Sequence, residues 1–224
     1  MRKFNEDRLH VEQFDNGTVL VAVADWMGGE KGGAMAAELA VQSLNSFDPE
    51  LKEIEKLLTR LIRSAHQSVI AMAEQKAELK RMGTTLTAAF LNGTKITWAH
   101  TGDSRAYLLR EGHLIQITDD HSVTGFLLRE GEISVEEAKD HPLRNVLLRC
   151  LGCEPLQVDN GEFEAAVGDI FLLTTDGLHD YVSEDEMVSI LTSGSPLEAK
   201  LDSLTRSALA VGGRDNITIV AVEI

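Results

Sequence analysis

Three tight-turn signals limit what this chain can fold into. Asp15-Asn16-Gly17, Asn92-Gly93 and Glu111-Gly112 each separate two short runs rich in apolar and β-branched residues. Asn-Gly between such runs is a strong hairpin signal, because the favoured two-residue turn needs positive φ at both central positions. The spacing therefore predicts antiparallel pairs at 9–14 with 18–24, 84–91 with 95–101, and 104–110 with 113–117. Further strands are expected at 156–163, 169–174 and 216–223.

Helical periodicity marks 31–44, rich in alanine and leucine, and 49–80, where Leu51, Ile54, Leu57, Leu58, Leu61, Ile62 and Ala65 recur on one face. Two more helices are expected at 183–191 and 196–211. From 121 to 152 the pattern turns polar, with short helices at 123–130 and 135–140, and reads as an excursion from the sheet. Strands grouped in hairpins and helices grouped between them predict an α+β fold, not a doubly wound parallel one. With 224 residues and no repeat, a single domain over 1–224 is expected, carrying that excursion at about 121–152.

The formal net charge is −15, from 36 acidic and 21 basic residues, which makes a general nucleic-acid binder a poor reading. No apolar run is long enough to span a bilayer, and Met1-Arg2-Lys3-Phe4-Asn5-Glu6-Asp7 lacks the apolar core of a signal peptide. Those points predict a cytoplasmic protein with no membrane partner. Cys150 and Cys153 form a lone CxxC, too few for a four-cysteine zinc site, and are expected to be two small buried thiols.

Chemistry is signalled by aspartates at strand ends. Asp25 closes the apolar run Val19-Leu-Val-Ala-Val-Ala24 and opens onto Trp26-Met27-Gly28-Gly29. Asp176 closes Ile170-Phe-Leu-Leu-Thr-Thr175 and precedes Gly177. Asp7 and Asp215 each precede a strand, and Asp103 lies between two. Any one of these is ordinarily a turn or cap residue. Several gathered at one sheet edge would repel one another unless a cation lay among them. All-oxygen ligands favour hard cations such as Mg²⁺ or Mn²⁺. Two such ions about 3.5–4 Å apart activate water for attack on phosphorus.

The ordered segments Arg2-Lys-Phe-Asn-Glu-Asp7, Val23-Ala-Asp-Trp-Met-Gly-Gly29, Met82-Gly-Thr-Thr85, Thr101-Gly-Asp-Ser-Arg105, Asp119-Asp-His-Ser122, His141-Pro-Leu-Arg-Asn145, Thr175-Asp-Gly-Leu178 and Gly212-Gly-Arg-Asp-Asn-Ile-Thr218 span nearly the whole chain. In them the chain resembles the bacterial metal-dependent protein serine/threonine phosphatases, the protein phosphatase 2C-like family. The resemblance implies a four-layer α-β-β-α sandwich with two central antiparallel sheets and metal ions at one end. It implies hydrolysis of phosphoserine and phosphothreonine in proteins by a metal-bridging hydroxide, without a phosphoenzyme.

Carried over residue by residue, the resemblance implies that Asp25 bridges two Mn²⁺ or Mg²⁺ ions. The main-chain carbonyl of Trp26, with Asp7, Asp176 and Asp215, would complete the ligands, Glu6 being a lesser substitute for Asp7. Asp103 with Asp176 would form a third site, and Arg2 would bind phosphate. Ser104 and Arg105 would brace the Asp103 turn, and the excursion would be the family's flap, with His121, His141 and Asn145 structural. Phosphoprotein substrates, an opposing Ser/Thr kinase and a monomeric state are implied with it.

This chain departs from the family pattern at three places. Trp26 stands where glycine is usual, and a positive φ there would strain a tryptophan. Glu30 and Met27 replace histidines found in relatives, and Arg2 is almost the first residue. The alternative these departures raise is a phosphatase-like module with weakened catalysis that binds phosphoproteins or a regulatory partner. A nucleotide loop at Gly28-Gly29-Glu30-Lys31-Gly32-Gly33 is the weakest reading, since Lys31 is not followed by Ser or Thr.

Overall fold

The hairpins form where the turn signals place them. In the computed structural model, which describes residues 4–27, 32–75, 77–79 and 82–224, β1 (Arg8–Gln13) pairs antiparallel with β2 (Val19–Ala24). β5 (Leu86–Asn92) pairs with β6 (Lys95–Thr101), and β7 (Arg105–Arg110) with β8 (His113–Gln116). With β9 (Asp159–Glu164), β10 (Ile170–Thr174) and β11 (Ile219–Glu223) they build two antiparallel sheets. One has the order β1-β2-β5-β6-β9 and the other β11-β10-β7-β8. A two-residue ribbon joins β3 (Trp26–Met27) to β4 (Gly83–Thr84).

Three apolar layers hold the sheets and helices together, and the period of two along each strand decides which layer a side chain enters. In β2, Val21 and Val23 meet Phe171 and Leu173 of β10 between the sheets. Leu20, Ala22 and Ala24 point the other way, onto α1 (Gly33–Gln42) and α2 (Ile54–Gln75). In β10, Ile170 and Leu172 face the outer helices α6 (Glu184–Leu191) and α7 (Leu197–Ala210), packing with Met187, Leu191 and Leu204. Central strands covered by a sheet on one side and helices on the other are apolar on both faces, which is why β2 and β10 read as continuous hydrophobic runs. The result is the expected α-β-β-α sandwich.

The excursion carries α3 (Val123–Arg129), capped by Ser122, and α4 (Val135–Lys139), which starts with a Ser134–Glu137 capping box. Both its feet are fastened beside the sheet ends. His121 N–H donates to Gly102 O (2.8 Å), and Thr84 and Leu151 exchange backbone bonds of 3.2 and 2.9 Å.

Several expectations need correction. Cys150 and Cys153 are not free thiols: a turn closed by Cys153 N–H to Cys150 O brings their Cα atoms to 5.0 Å, and they form a disulfide. The long helix begins at Ile54, because Asp48 folds the preceding segment into a turn by accepting from Glu50 N–H (3.0 Å). The strands expected from 156 and 216 begin at Asp159 and Ile219. A single helical turn, α5 (Asp176–His179), was not anticipated. Among the described residues no helix is long and apolar enough to cross a membrane.

Candidate metal centre

Strand register delivers five aspartates to one end of the sandwich. Arg8 lies opposite Ala24, which sets Asp7 beside Asp25. Thr174 lies opposite both Arg105 and Ile219. The end of β10 with Asp176 therefore meets the start of β7 with Asp103 and the approach to β11 with Asp215. The expected site residues Asp7, Asp25, Asp103, Asp176 and Asp215 thus come together. Arg2, Gly28, Gly29 and Glu30 lie outside the described residues.

Asp25 is the centre of this cluster and is 8% exposed. Its backbone is clamped: N–H donates to Thr85 Oγ1 (2.8 Å), while its carbonyl accepts from Thr84 Oγ1 (2.6 Å) and Thr85 N–H (2.9 Å). Thr85 Oγ1 reaches Ser104 Oγ at 2.7 Å, so the same hydroxyl ties Asp25 to the turn carrying Asp103. Asp7 is 5% exposed, and its Oδ2 accepts from Thr175 Oγ1 (2.9 Å) and Thr218 Oγ1 (2.8 Å). That arrangement locks the N-terminal segment to the end of β10 and the approach to β11.

Electrostatics report the crowding. Burial pushes the Asp25 carboxyl well above the usual range, and the charges of Asp176, Asp7 and Asp103 add to it. Asp103 is raised well above its ordinary value by burial, then by Asp176, Asp120 and Asp180. Asp176 is pushed up to about 7 by burial and by the charges of Asp180 and Asp215. Asp7 is raised by burial, against hydrogen bonds from Thr218 and Thr175 that lower it. Asp103 and Asp176 are only half-buried: protein hems them in, yet water reaches them from one side. A bound cation needs that combination.

Two further observations bear on whether a divalent ion fits. Asp7 Oδ1 and Asp176 Oδ1 are buried with no hydrogen-bond partner. Orphaned carboxylate oxygens are costly, and a hard cation is their natural partner. Among the described residues no three Asp, Glu, His or Cys side chains form a ready cage around one ion. Mg²⁺-type sites keep several waters and take few protein ligands, so a partial carboxylate set suits them. The residues present fit the ion.

Trp26 does not carry the strain the sequence raised. Among the described residues Glu111 is the non-glycine with positive φ, so Trp26 sits in ordinary strand backbone. Thr84 gives its backbone N–H and C=O to Leu151, so the Trp26–Thr84 pair exchanges no backbone bonds and the Trp26 carbonyl turns away from β4.

His121, His141 and Arg105, expected to be structural, each make hydrogen bonds within the fold. Gly102 N–H donates to His121 Nδ1 (3.2 Å), and His121 Nε2 faces Asp159 Oδ2 (3.1 Å). Arg105 makes a two-pronged ion pair with Asp120, at 2.8 and 2.6 Å. His141 Nδ1 accepts from Leu143 N–H at 3.1 Å within the excursion. A surface hollow of about 640 Å³ against α2, lined by Arg63, His66, Gln67, Glu154, Pro155 and Leu156, contains none of the clustered carboxylates.

Two site residues escaped the sequence reading. Asp180, whose own carboxyl is raised mainly by burial, adds charge to Asp176 and Asp103. The signal was its position four residues after Asp176, on the same side of α5. Asn216 is 5% exposed, and its backbone oxygen would lie 1.8 Å from a Cβ at position 177, so only glycine allows the Asp215 loop and the Asp176 turn to approach so closely.

The antiparallel double-sheet sandwich is shared with known proteins, and the sequence points to the same family. The family model described as protein phosphatase 2C matches residues 2–209. The serine/threonine phosphatase stp of Listeria monocytogenes is 40% identical over 230 residues, covering 100% of this chain and 91% of that protein. The crystal structure of the serine/threonine phosphatase Stp1 from Staphylococcus aureus superposes with a TM-score of 0.93 at 30% identity, covering 100% of this chain and 90% of that one. The catalytic domain of the serine/threonine protein phosphatase PstP, solved in complex with two manganese ions, gives 0.87 at 33% identity, covering 100% and 93%. The chain belongs to the protein phosphatase 2C family. It is a protein serine/threonine phosphatase acting on phosphoproteins, and the binding-module alternative is not favoured.

Proposed function

We propose that this phosphatase works through divalent cations, Mn²⁺ or Mg²⁺, held by Asp25, Asp7, Asp176, Asp215 and the Trp26 main-chain carbonyl. The observation that carries the reading is the buried Asp25 surrounded by like charges, with Asp7 Oδ1 and Asp176 Oδ1 orphaned beside it. When bound, the cations neutralise phosphoryl oxygens and acidify a water for attack on phosphorus.

The chain's own residues supply position and charge. The Thr84–Thr85 clamp fixes Asp25, and Thr175 with Thr218 fixes Asp7 so that its second oxygen stays available. Rigid, pre-aimed ligands cost no reorganisation when the phosphate arrives. A net charge of −15 would repel a phosphate dianion, so cations in the cleft also serve to admit the substrate. No phosphoenzyme is needed. Cys150 and Cys153 are tied to each other, and His100, His121 and His179 are engaged in hydrogen bonds within the fold.

Asp103, with Asp176 and Asp180, is the proposed seat of a third, weaker ion, and Arg2 the proposed phosphate-binding cation. The chain acts as one catalytic domain, a cytoplasmic monomer opposing a Ser/Thr kinase. The test is hydrolysis of a phosphothreonine peptide and calorimetric Mn²⁺ titration, in wild type and Asp176→Asn. Wild type should bind Mn²⁺ and turn over, and the variant should lose both by at least tenfold. A variant that binds and turns over like wild type overturns the assignment.

A further inference from the structure

The Trp26 indole has no part in the carboxylate chemistry, yet one amide links it to the segments that carry it. With the Asn216 amide oriented to satisfy both of its ends, Trp26 Nε1–H donates to Asn216 Oδ1 (3.2 Å). The same oxygen accepts from Glu6 N–H (2.6 Å), and Asn216 Nδ2 donates to Phe4 O (3.1 Å). Asn216 N–H in turn donates to Asp215 Oδ1 at 2.9 Å. One amide therefore joins the segment entering Asp7, the ribbon leaving Asp25 and the loop holding Asp215.

The indole is seated as well as bonded. A Cβ at Gly33 would lie 2.1 Å from Trp26 Cε3 and 2.8 Å from Cδ2, so the ring occupies the space a side chain would take at the start of α1. Neighbours on both sides thus fit the ring: Gly33 makes room for its face, and Asn216 receives its N–H. A ring that merely crowded a site built for glycine would have neither.

We infer that Trp26 is a positioning residue of the metal centre, an indole brace that holds the Asp7 and Asp215 segments against Asp25 through Asn216. This rests on the carboxylate cluster being the cation site. The indole adds a tie between elements that approach from three directions in the chain. Without it, closing the carboxylates around an ion must itself order the loop, and affinity falls.

The chain contains two tryptophans, so Trp98→Phe leaves Trp26 as the sole indole fluorophore. In that background, Mn²⁺ titration is read by paramagnetic quenching of Trp26 and, independently, by calorimetry. Trp26→Phe keeps the backbone carbonyl and most of the ring but removes the N–H. Calorimetry should show its Mn²⁺ dissociation constant raised about fivefold, the equivalent of one hydrogen bond. Turnover at saturating Mn²⁺ should change less than the Mn²⁺ requirement does. In an Asn216→Ala background the Trp26→Phe change should have little further effect, because the brace acts through that amide. Independent, additive effects of the two substitutions, or Mn²⁺ affinity unchanged in Trp26→Phe, overturn the brace while leaving the metal reading intact. A wild-type protein that binds no Mn²⁺ overturns both.

Discussion

Replacing Asp176 by Asn should make the metal-free enzyme more stable while disabling it. Asp176 is raised to about 7 from an ordinary 3.8, by burial first and by the Asp180 and Asp215 charges next. A carboxyl raised in this way binds its proton more tightly folded than unfolded. Between about pH 4 and pH 7 the native state therefore holds more protons, and stability falls as pH rises through that window. The gap corresponds to at most about 4 kcal/mol at neutral pH. Water reaching the half-buried carboxyl screens roughly half of it, leaving about 2 kcal/mol. Asn keeps the shape without the charge, and gives up only about 0.5 kcal/mol from a lost anion in the first turn of α5.

Urea denaturation with a chelator present should then place Asp176→Asn about 1–2 kcal/mol above wild type at about pH 7.5 and near equality at about pH 4. Its stability should also fall less steeply with pH, the remaining slope belonging to Asp25, Asp103 and Asp7, all raised in the same sense. Saturating Mn²⁺ should reverse the order, since about a hundredfold excess over the dissociation constant adds roughly 2.7 kcal/mol to whichever form binds it. A metal-free variant no more stable than wild type at pH 7.5, or one with an unchanged pH slope, would refute the reasoning.

Four other outcomes follow from named contacts. Gly177→Ala, whose Cβ would fall 1.8 Å from Asn216 O, should destabilise by about 3 kcal/mol or more and lower the melting temperature in calorimetry. Thr218→Val removes one of two hydroxyl donors to Asp7 Oδ2, and should weaken Mn²⁺ binding by roughly 1 kcal/mol, about fivefold in titration. Arg105→Ala strands the Asp120 carboxylate, which that guanidinium otherwise holds below the usual range, and should cost about 3–5 kcal/mol in urea denaturation. Gly33→Ala should destabilise the wild type through its clash with the Trp26 ring, and much less so in a Trp26→Gly background, by comparison of melting temperatures.

Much of the fold could be read in advance because the turns are chemically explicit. Asn92-Gly93 and Glu111-Gly112 sit where β5 meets β6 and β7 meets β8, and the Asp15-Asn16-Gly17 turn sets the register that puts Asp7 next to Asp25. The carboxylates were legible for a related reason: a strand buried on both faces ends abruptly at its first charge. Less legible were features made by contact between distant segments. The ribbon of Trp26–Met27 with Gly83–Thr84 is too short to leave a period. The Cys150–Cys153 bond depends on a turn that brings the two Cα atoms to 5.0 Å, which a CxxC spacing allows but does not require. Trp26 looked like an intruder because its partners, Gly33 and Asn216, are remote in the chain and only the folded protein sets them around the ring.

The two fastened feet of the excursion have a consequence for how the enzyme ages. His121 and Leu151 are each bonded to backbone beside the aspartates, whereas the stretch between them is largely exposed. A protease cutting that exposed middle would leave both stubs moored and the carboxylates in place. If those carboxylates hold cations as proposed, the nicked molecule should keep its Mn²⁺ affinity and its hydrolysis of small aryl phosphates. Limited digestion would thus separate what the excursion contributes to turnover from what the moored carboxylates do by themselves.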